Sequence, residues 1–335
     1  MPRDMARVSG HRRTIRLVLL SMCLLTDHVM AQSVSIREWL VPWPDTAPSD
    51  PVVDARGRVW FIGTDYVANF SRDSEEFNRY DLRKGTVPGG LLAAPDRKLW
   101  FTSRKRRHLG SLDPSTGRVA TIDMPDRKAR EPRSMIFDSL GDIWFTEEDG
   151  GFVGRLRAGT EDIELVRLEG RNVRPLGLAA GSDGAIWVAA TGRNEIYRID
   201  AVTLTPTVFE IPDEDARPRR VGITSDGRIW YTDFDRGRLG RLTPDNGEFL
   251  EWPMPGGGDS APFALAVDRD DRLWIVETGR TPNRLVGFDT ATGVFLTETN
   301  IPSGADSVEQ LHYYEPAGEV WFSTATNYLG RAVIH

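Results

Sequence analysis

Two arginines, Arg133 and Arg219, each stand fourteen residues ahead of an acid, Glu147 and Asp233 respectively. A guanidinium is a planar fork of N–H donors that grips a carboxylate or phosphate through two parallel hydrogen bonds. The same fork can instead close a salt bridge that pins a loop, and residue types alone leave both roles open. Further arginines crowd the same segments, among them Arg104, Arg130, Arg174, Arg217 and Arg236. The whole chain is acidic, with 42 Lys and Arg against 49 Asp and Glu and a formal charge of −7. Basic residues gathered on one face of an acidic protein point to an anionic small molecule or partner, and nothing favours nucleic acid.

Other reactive constellations are thin. Of five histidines, His108 ends the basic run "RKRRH", a solvated loop by its composition. His312 takes a place otherwise held by Ile or Leu; it either faces a channel or is satisfied in the core. No His-Glu-x-x-His or His-x-His pattern exists, so a histidine-rich metal centre is excluded. The acidic run "DRDDR" (268–272) has neither the glycine nor the closing glutamate of a calcium loop and reads as a hairpin turn. No serine sits in a glycine-flanked elbow, which leaves a hydrolase triad unsupported.

The elements that must position these residues repeat along the chain. "RVWFIG", "KLWFTS", "DIWFTE", "AIWVAA", "RIWYTD", "RLWIVE" and "EVWFST" place tryptophans at 60, 100, 144, 187, 230, 274 and 321. The gaps of 40, 44, 43, 43, 44 and 47 residues fit blade-sized units of four strands. In the fifth unit, "RVGITS", "RIWYTD", "GRLGRLT" and "GEFLEWPMP" read as inner, second, third and outer strands, joined by hairpins such as Ser225-Asp226-Gly227. The last unit stops after its third strand, and "SIREWLVP" (35–42) matches the missing outer one. The sequence therefore predicts an all-β, seven-bladed propeller whose N-terminal strand closes the last blade and leaves no open sheet edge. The tryptophans become packing between blades. One face of the ring would collect the residue eleven before each tryptophan and the residue three after it, which brings Arg133 to Glu147 and Arg219 to Asp233.

The N-terminus differs in kind. Five arginines precede an apolar run from Leu17 to Leu25, then the small-residue stretch Val29-Met30-Ala31. This is the layout of a secretory signal peptide, and the run is too short to span a bilayer. We expect residues 1–31 to be removed and residues 32–335 to form one propeller domain, monomeric and periplasmic or secreted. The leader carries a net charge of +3 and takes away the sole cysteine, Cys23, so the remaining 304 residues carry about −10 and must cohere by burial alone.

The phrases "GDIWFTE" and "VGRL", with "DPSTG" at 113–117, resemble the streptogramin lyases, the virginiamycin B lyase family, over about residues 34–335. The resemblance implies the seven-bladed fold and a magnesium-dependent elimination that opens a cyclic depsipeptide at its ester. In that family a histidine entering an inner strand is the general base. A glutamate two residues earlier and the glutamate ending the same unit's "WFTE" serve the metal, all in the last unit. Counted from Trp321, those places fall on Gln310, Val308 and Thr324, none of which can do the work. The third unit keeps Glu131 and Glu147 at the two metal positions but has Arg133 for the histidine, and an arginine cannot abstract a proton.

Two functions stay open. In one, the protein is a carbon–oxygen lyase acting on an anionic or ester-containing small molecule. Glu147, Glu277 or His312 would be its base, and Arg133, Arg174, Arg219 and Asp233 would contact the ligand. In the other, it is a non-catalytic ligand- or protein-binding propeller.

Overall fold

The computed structural model describes residues 33–335, and the expected leader, residues 1–31, lies outside the described residues. They contain twenty-eight strands in seven four-stranded antiparallel sheets. Six sheets are consecutive meanders. The seventh is completed by Val34–Leu40, which pairs with Tyr328–Ile334 in the register Trp39↔Leu329. Trp39 stacks on Trp321 at 5.8 Å, so the closing strand brings its own aromatic anchor. The ring closes as the sequence predicts. No described helix is long and apolar enough to cross a membrane.

The third blade shows why the repeated phrase has its form. Its strands are Pro132–Phe137, Ile143–Glu147, Phe152–Leu156 and Ile163–Arg167. Trp144 is fully buried, and its indole N–H donates to Asp138 Oδ2 at 2.8 Å. Asp138 also accepts the N–H groups of Leu140 and Asp142, so one carboxylate holds both the hairpin turn and the ring. Asp54 and Asp268 do the same for Trp60 and Trp274, which gives "DRDDR" its role as a turn. Phe145 lies across Gly154 on the third strand, where a Cβ would sit 2.1 Å from its Cζ. The glycine of "VGRL" is therefore required by the ring of "WF". Arg155, next in that phrase, covers Trp144 at 5.3 Å.

Thr146 ties blade to blade. It accepts the N–H of Ser134 and donates to the carbonyl of Leu176 in the fourth blade, both at 3.2 Å. Thr102 and Thr232 bridge to Arg133 and Phe263 in the same way. Between blades lie the apolar clusters, such as Trp144 and Val153 against Val173, Ile186 and Val188. Six inner strands carry a bulge after their first residue, as between Pro132 and Met135, which re-aims the side chains that follow.

The last blade departs from this frame by one residue. Every other tryptophan faces an inner-strand partner eight positions earlier, for example Ile136↔Trp144, whereas Trp321 faces His312, nine positions earlier. A 3₁₀ turn at Glu315–Ala317 absorbs the extra residue. Leu311 then matches Met135, and the residue that corresponds to Arg133 is Glu309, not Gln310.

Candidate functional site

The centre of the ring is held by Arg220, which enters from the fifth blade and is almost fully buried. Its Nη1 donates to Ser134 Oγ of the third blade at 2.7 Å; Nη2 and Nε donate to the Glu309 carbonyl of the seventh at 2.8 and 3.1 Å. One guanidinium thus ties together three blades. Asp50, in a left-handed conformation at φ 50°, comes from the first blade to the same cluster. Burial pushes its carboxyl above the ordinary range, against the pull of Arg220 and Arg133.

Arg133 faces two carboxylates here, and Glu147 is neither of them. Its Nη2 lies 3.3 Å from Glu309 Oε2 and its Nε 3.4 Å from Glu148 Oε2. Both distances are long for charge-assisted bonds, so the fork is not saturated. Glu148 also receives Arg174 Nη2 at 2.5 Å. Arg104, Arg133, Asp50, Ser307, Glu309 and Gln310 line a pocket of about 230 Å³.

The expected pairs are otherwise rearranged. Arg219 does not meet Asp233; its guanidinium lies over Phe234 at 4.2 Å and Phe263 at 5.2 Å. Asp233 accepts the Arg217 N–H at 3.0 Å and Arg236 Nε at 2.6 Å, although burial still raises its pKa. Glu277 accepts the Gly256 N–H at 2.7 Å and Arg284 Nε at 2.9 Å, and it is wholly buried. Both acids pin the loop that leads from an outer strand to the next inner strand. Neither is free to act as a base.

Glu147 occupies the equivalent place in the third blade but lacks such partners. It is fully buried, neither carboxyl oxygen meets a hydrogen-bond donor, and desolvation raises its pKa to about 8, opposed only by the Arg107 charge. At neutral pH it is a neutral acid. Glu131 is half-exposed, with φ 55°, and bonds to Arg104 Nη2 at 2.7 Å. His312 replaces the core position of Ile136 beside a tryptophan, and burial lowers its pKa to about 4. Its ring is only partly buried, and so weakly basic an imidazole is a poor proton acceptor.

These residues do not fit magnesium. The ion demands several charged or strongly polar oxygens in near-octahedral array. The register-corrected places in the last blade are Ser307, Glu309 and Thr324, one carboxylate, and two guanidinium groups lie on Glu309. In the third blade Glu131 is already paired with Arg104, and Arg133 brings a cation to the strand that follows it. Among the described residues no group of three His, Cys, Asp or Glu side chains could hold a metal.

Sequence reasoning missed Glu309, Asp50 and Arg220. Glu309 was hidden by the extra residue before Trp321, and the sole hint was the 47-residue last gap. Arg220 stands one residue beyond Arg219, outside the position that the repeat spacing selects.

The profile of the Virginiamycin B lyase family matches residues 28–285. A structure of virginiamycin B lyase from Staphylococcus aureus superposes with a TM-score of 0.80 at 22% identity, covering 90% of this chain and 99% of that one. A catalytically inactive variant of that enzyme with quinupristin gives 0.81 at 23%, with the same coverage. A streptogramin B lyase gives 0.80 at 21%, over 90% and 98%. No curated protein matches the sequence. At these identities the superpositions carry the fold alone, and the profile carries the kinship: the chain belongs to the virginiamycin B lyase family.

Proposed function

We propose that this is an exported propeller that holds an anionic small molecule in the pocket at Arg133, without the metal-dependent elimination of its family. The observation that carries this reading is Arg133 itself. It stands where the third blade would place a general base, is largely buried, and retains donors that its two distant carboxylate partners do not fill. Arg104 opens onto the same pocket. A ligand carboxylate or phosphate inserted there would take the short, bidentate geometry that Glu148 and Glu309 leave unused. Export is the companion proposal and rests on the order of basic, apolar and small residues in the leader.

A panel of di- and tricarboxylates and phosphate esters, read by thermal shift and calorimetry, tests the binding reading. Arg133→Ala should weaken any hit by about tenfold or more, since a charge-assisted bond contributes more than about 1.5 kcal/mol. Arg236→Ala, a change in a loop-pinning ion pair, should leave the affinity intact. Equal binding by wild type and Arg133→Ala would sink the assignment.

Glu309 favours a second reading. It takes the place of the family's histidine, and a carboxylate can act as a base where a guanidinium beside it stabilises the developing anion. Metal-independent elimination of an ester-containing ligand, abolished by Glu309→Gln, would select this reading over simple capture.

A further inference from the structure

Trp100 breaks the symmetry of the ring. The other six blade tryptophans, Trp60, Trp144, Trp187, Trp230, Trp274 and Trp321, are at most 3% exposed, while Trp100 is only partly buried. Three neighbouring positions change together. The acid that caps the indole N–H in the first, third and sixth blades is Ala94 here, and no described side chain accepts from Trp100. The arginine that faces the tryptophan on the third strand of four blades, as in Trp144↔Arg155 and Trp230↔Arg241, is Ser111. The outer strand adds only Ala120 behind it. The fourth blade supplies a control. It too lacks the capping acid, having Gly181, but it keeps Arg198 opposite Trp187 and packs Phe209 on the ring at 5.5 Å, and that indole stays buried. Loss of the cap alone does not bare the ring; loss of the arginine cover and of outer-strand bulk does.

The result is an open groove of about 630 Å³ between the second and third blades, separate from the Arg133 pocket. Trp100, Phe137 and Ile122 form its apolar wall. Its polar rim balances Asp96 and Glu161 against Lys98 and Arg157, so the groove has no net charge to recruit an ion. The side chains of Ser111 and Thr121 make no hydrogen bond within the described residues, and the indole N–H is likewise unspent. An indole face carries negative quadrupole charge and attracts the weakly positive C–H face of a saturated ring. Hydroxyl groups around that ring would meet the unspent donors and acceptors of the rim. A neutral amphipathic ring satisfies both demands; an anion or an all-apolar chain satisfies one at most.

We propose that the Trp100 groove is a binding site for neutral saccharide rings. The test is titration of the mature protein with chitotriose and with cellotriose, followed by tryptophan fluorescence and by saturation-transfer NMR. At least one should bind with a Kd on the order of 1 mM or tighter. Because Trp100→Ala risks the fold, the informative variants are Ser111→Arg and Ala94→Asp, which rebuild the repeat's own cover and cap. Ser111→Arg should weaken binding roughly tenfold or more without lowering the melting temperature, and Arg133→Ala should leave it unchanged. Failure of both sugars to bind, or binding that Ser111→Arg leaves intact, would overturn the proposal. Preference of the groove for an apolar peptide over either sugar would also overturn it.

Discussion

Replacing Glu147 by glutamine should make the protein more stable at neutral pH, with a gain that grows as pH rises. The carboxyl is fully buried, neither oxygen has a partner, and its pKa is raised to about 8 from an ordinary 4.5. A group whose folded pKa is raised favours the folded state fully below the unfolded value and loses that contribution as pH climbs toward the folded one. Each unit of that climb is worth about 1.4 kcal/mol. Between pH 4.5 and 7 the wild type therefore loses about 3 kcal/mol that the glutamine variant, which has no proton to give up, retains. The difference should level off near about 5 kcal/mol above pH 8, where the acid is ionised even when folded. Below pH 4.5 the two proteins should differ little, because Gln and a protonated Glu have nearly the same shape. Urea unfolding at pH 4.5, 7 and 9, followed by tryptophan fluorescence, gives the difference curve directly. Parallel stability profiles would refute the reasoning, for they would mean that Glu147 finds a partner or a water that keeps it charged.

Three further outcomes follow from the fold and the leader. Deleting residues 32–42 removes the closing strand and the Trp39–Trp321 stack; chemical denaturation should show a loss of at least about 3–5 kcal/mol, the usual cost of truncating one large aromatic. Gly154→Ala forces a methyl into Phe145 and should cost about 1–3 kcal/mol, read as a fall in melting temperature, whereas Gly184→Ala, a turn glycine with open space around it, should pay only for its positive φ. Mass spectrometry of protein secreted from a bacterial host should find an N-terminus near Gln32, and an intact cytoplasmic chain would end the export proposal.

The blades were legible because each repeats one packing problem. Trp144 needs its acid six residues back, and Phe145 needs a glycine opposite, so the same letters return at the same spacing. Closure was legible for a related reason: the last unit lacks an outer strand, and the chain's other end supplies one. The site was far less legible. Spacing from the tryptophan keeps one register with the inner strand in six blades, but one added residue in the seventh puts Glu309, not Gln310, at the place that corresponds to Arg133. Pairing failed for a different reason. Arg133 and Glu147 are neighbours in the sheet by sequence count, yet side-chain direction after the bulge sends the arginine to Glu148 and Glu309 and leaves the acid behind it. Long charged side chains choose among several partners within reach, and a linear pattern does not encode that choice.

The most direct test of the central claim is a single incubation. Protein comprising residues 32–335 is mixed with a streptogramin-type cyclic depsipeptide, with and without magnesium, and ring opening is followed by liquid chromatography and mass spectrometry. With no histidine base and no metal-binding set at the mouth, the account predicts no magnesium-dependent opening above the buffer rate. Rapid opening that requires magnesium would contradict it and would place the family's chemistry on residues that are buried without partners, ion-paired or cationic.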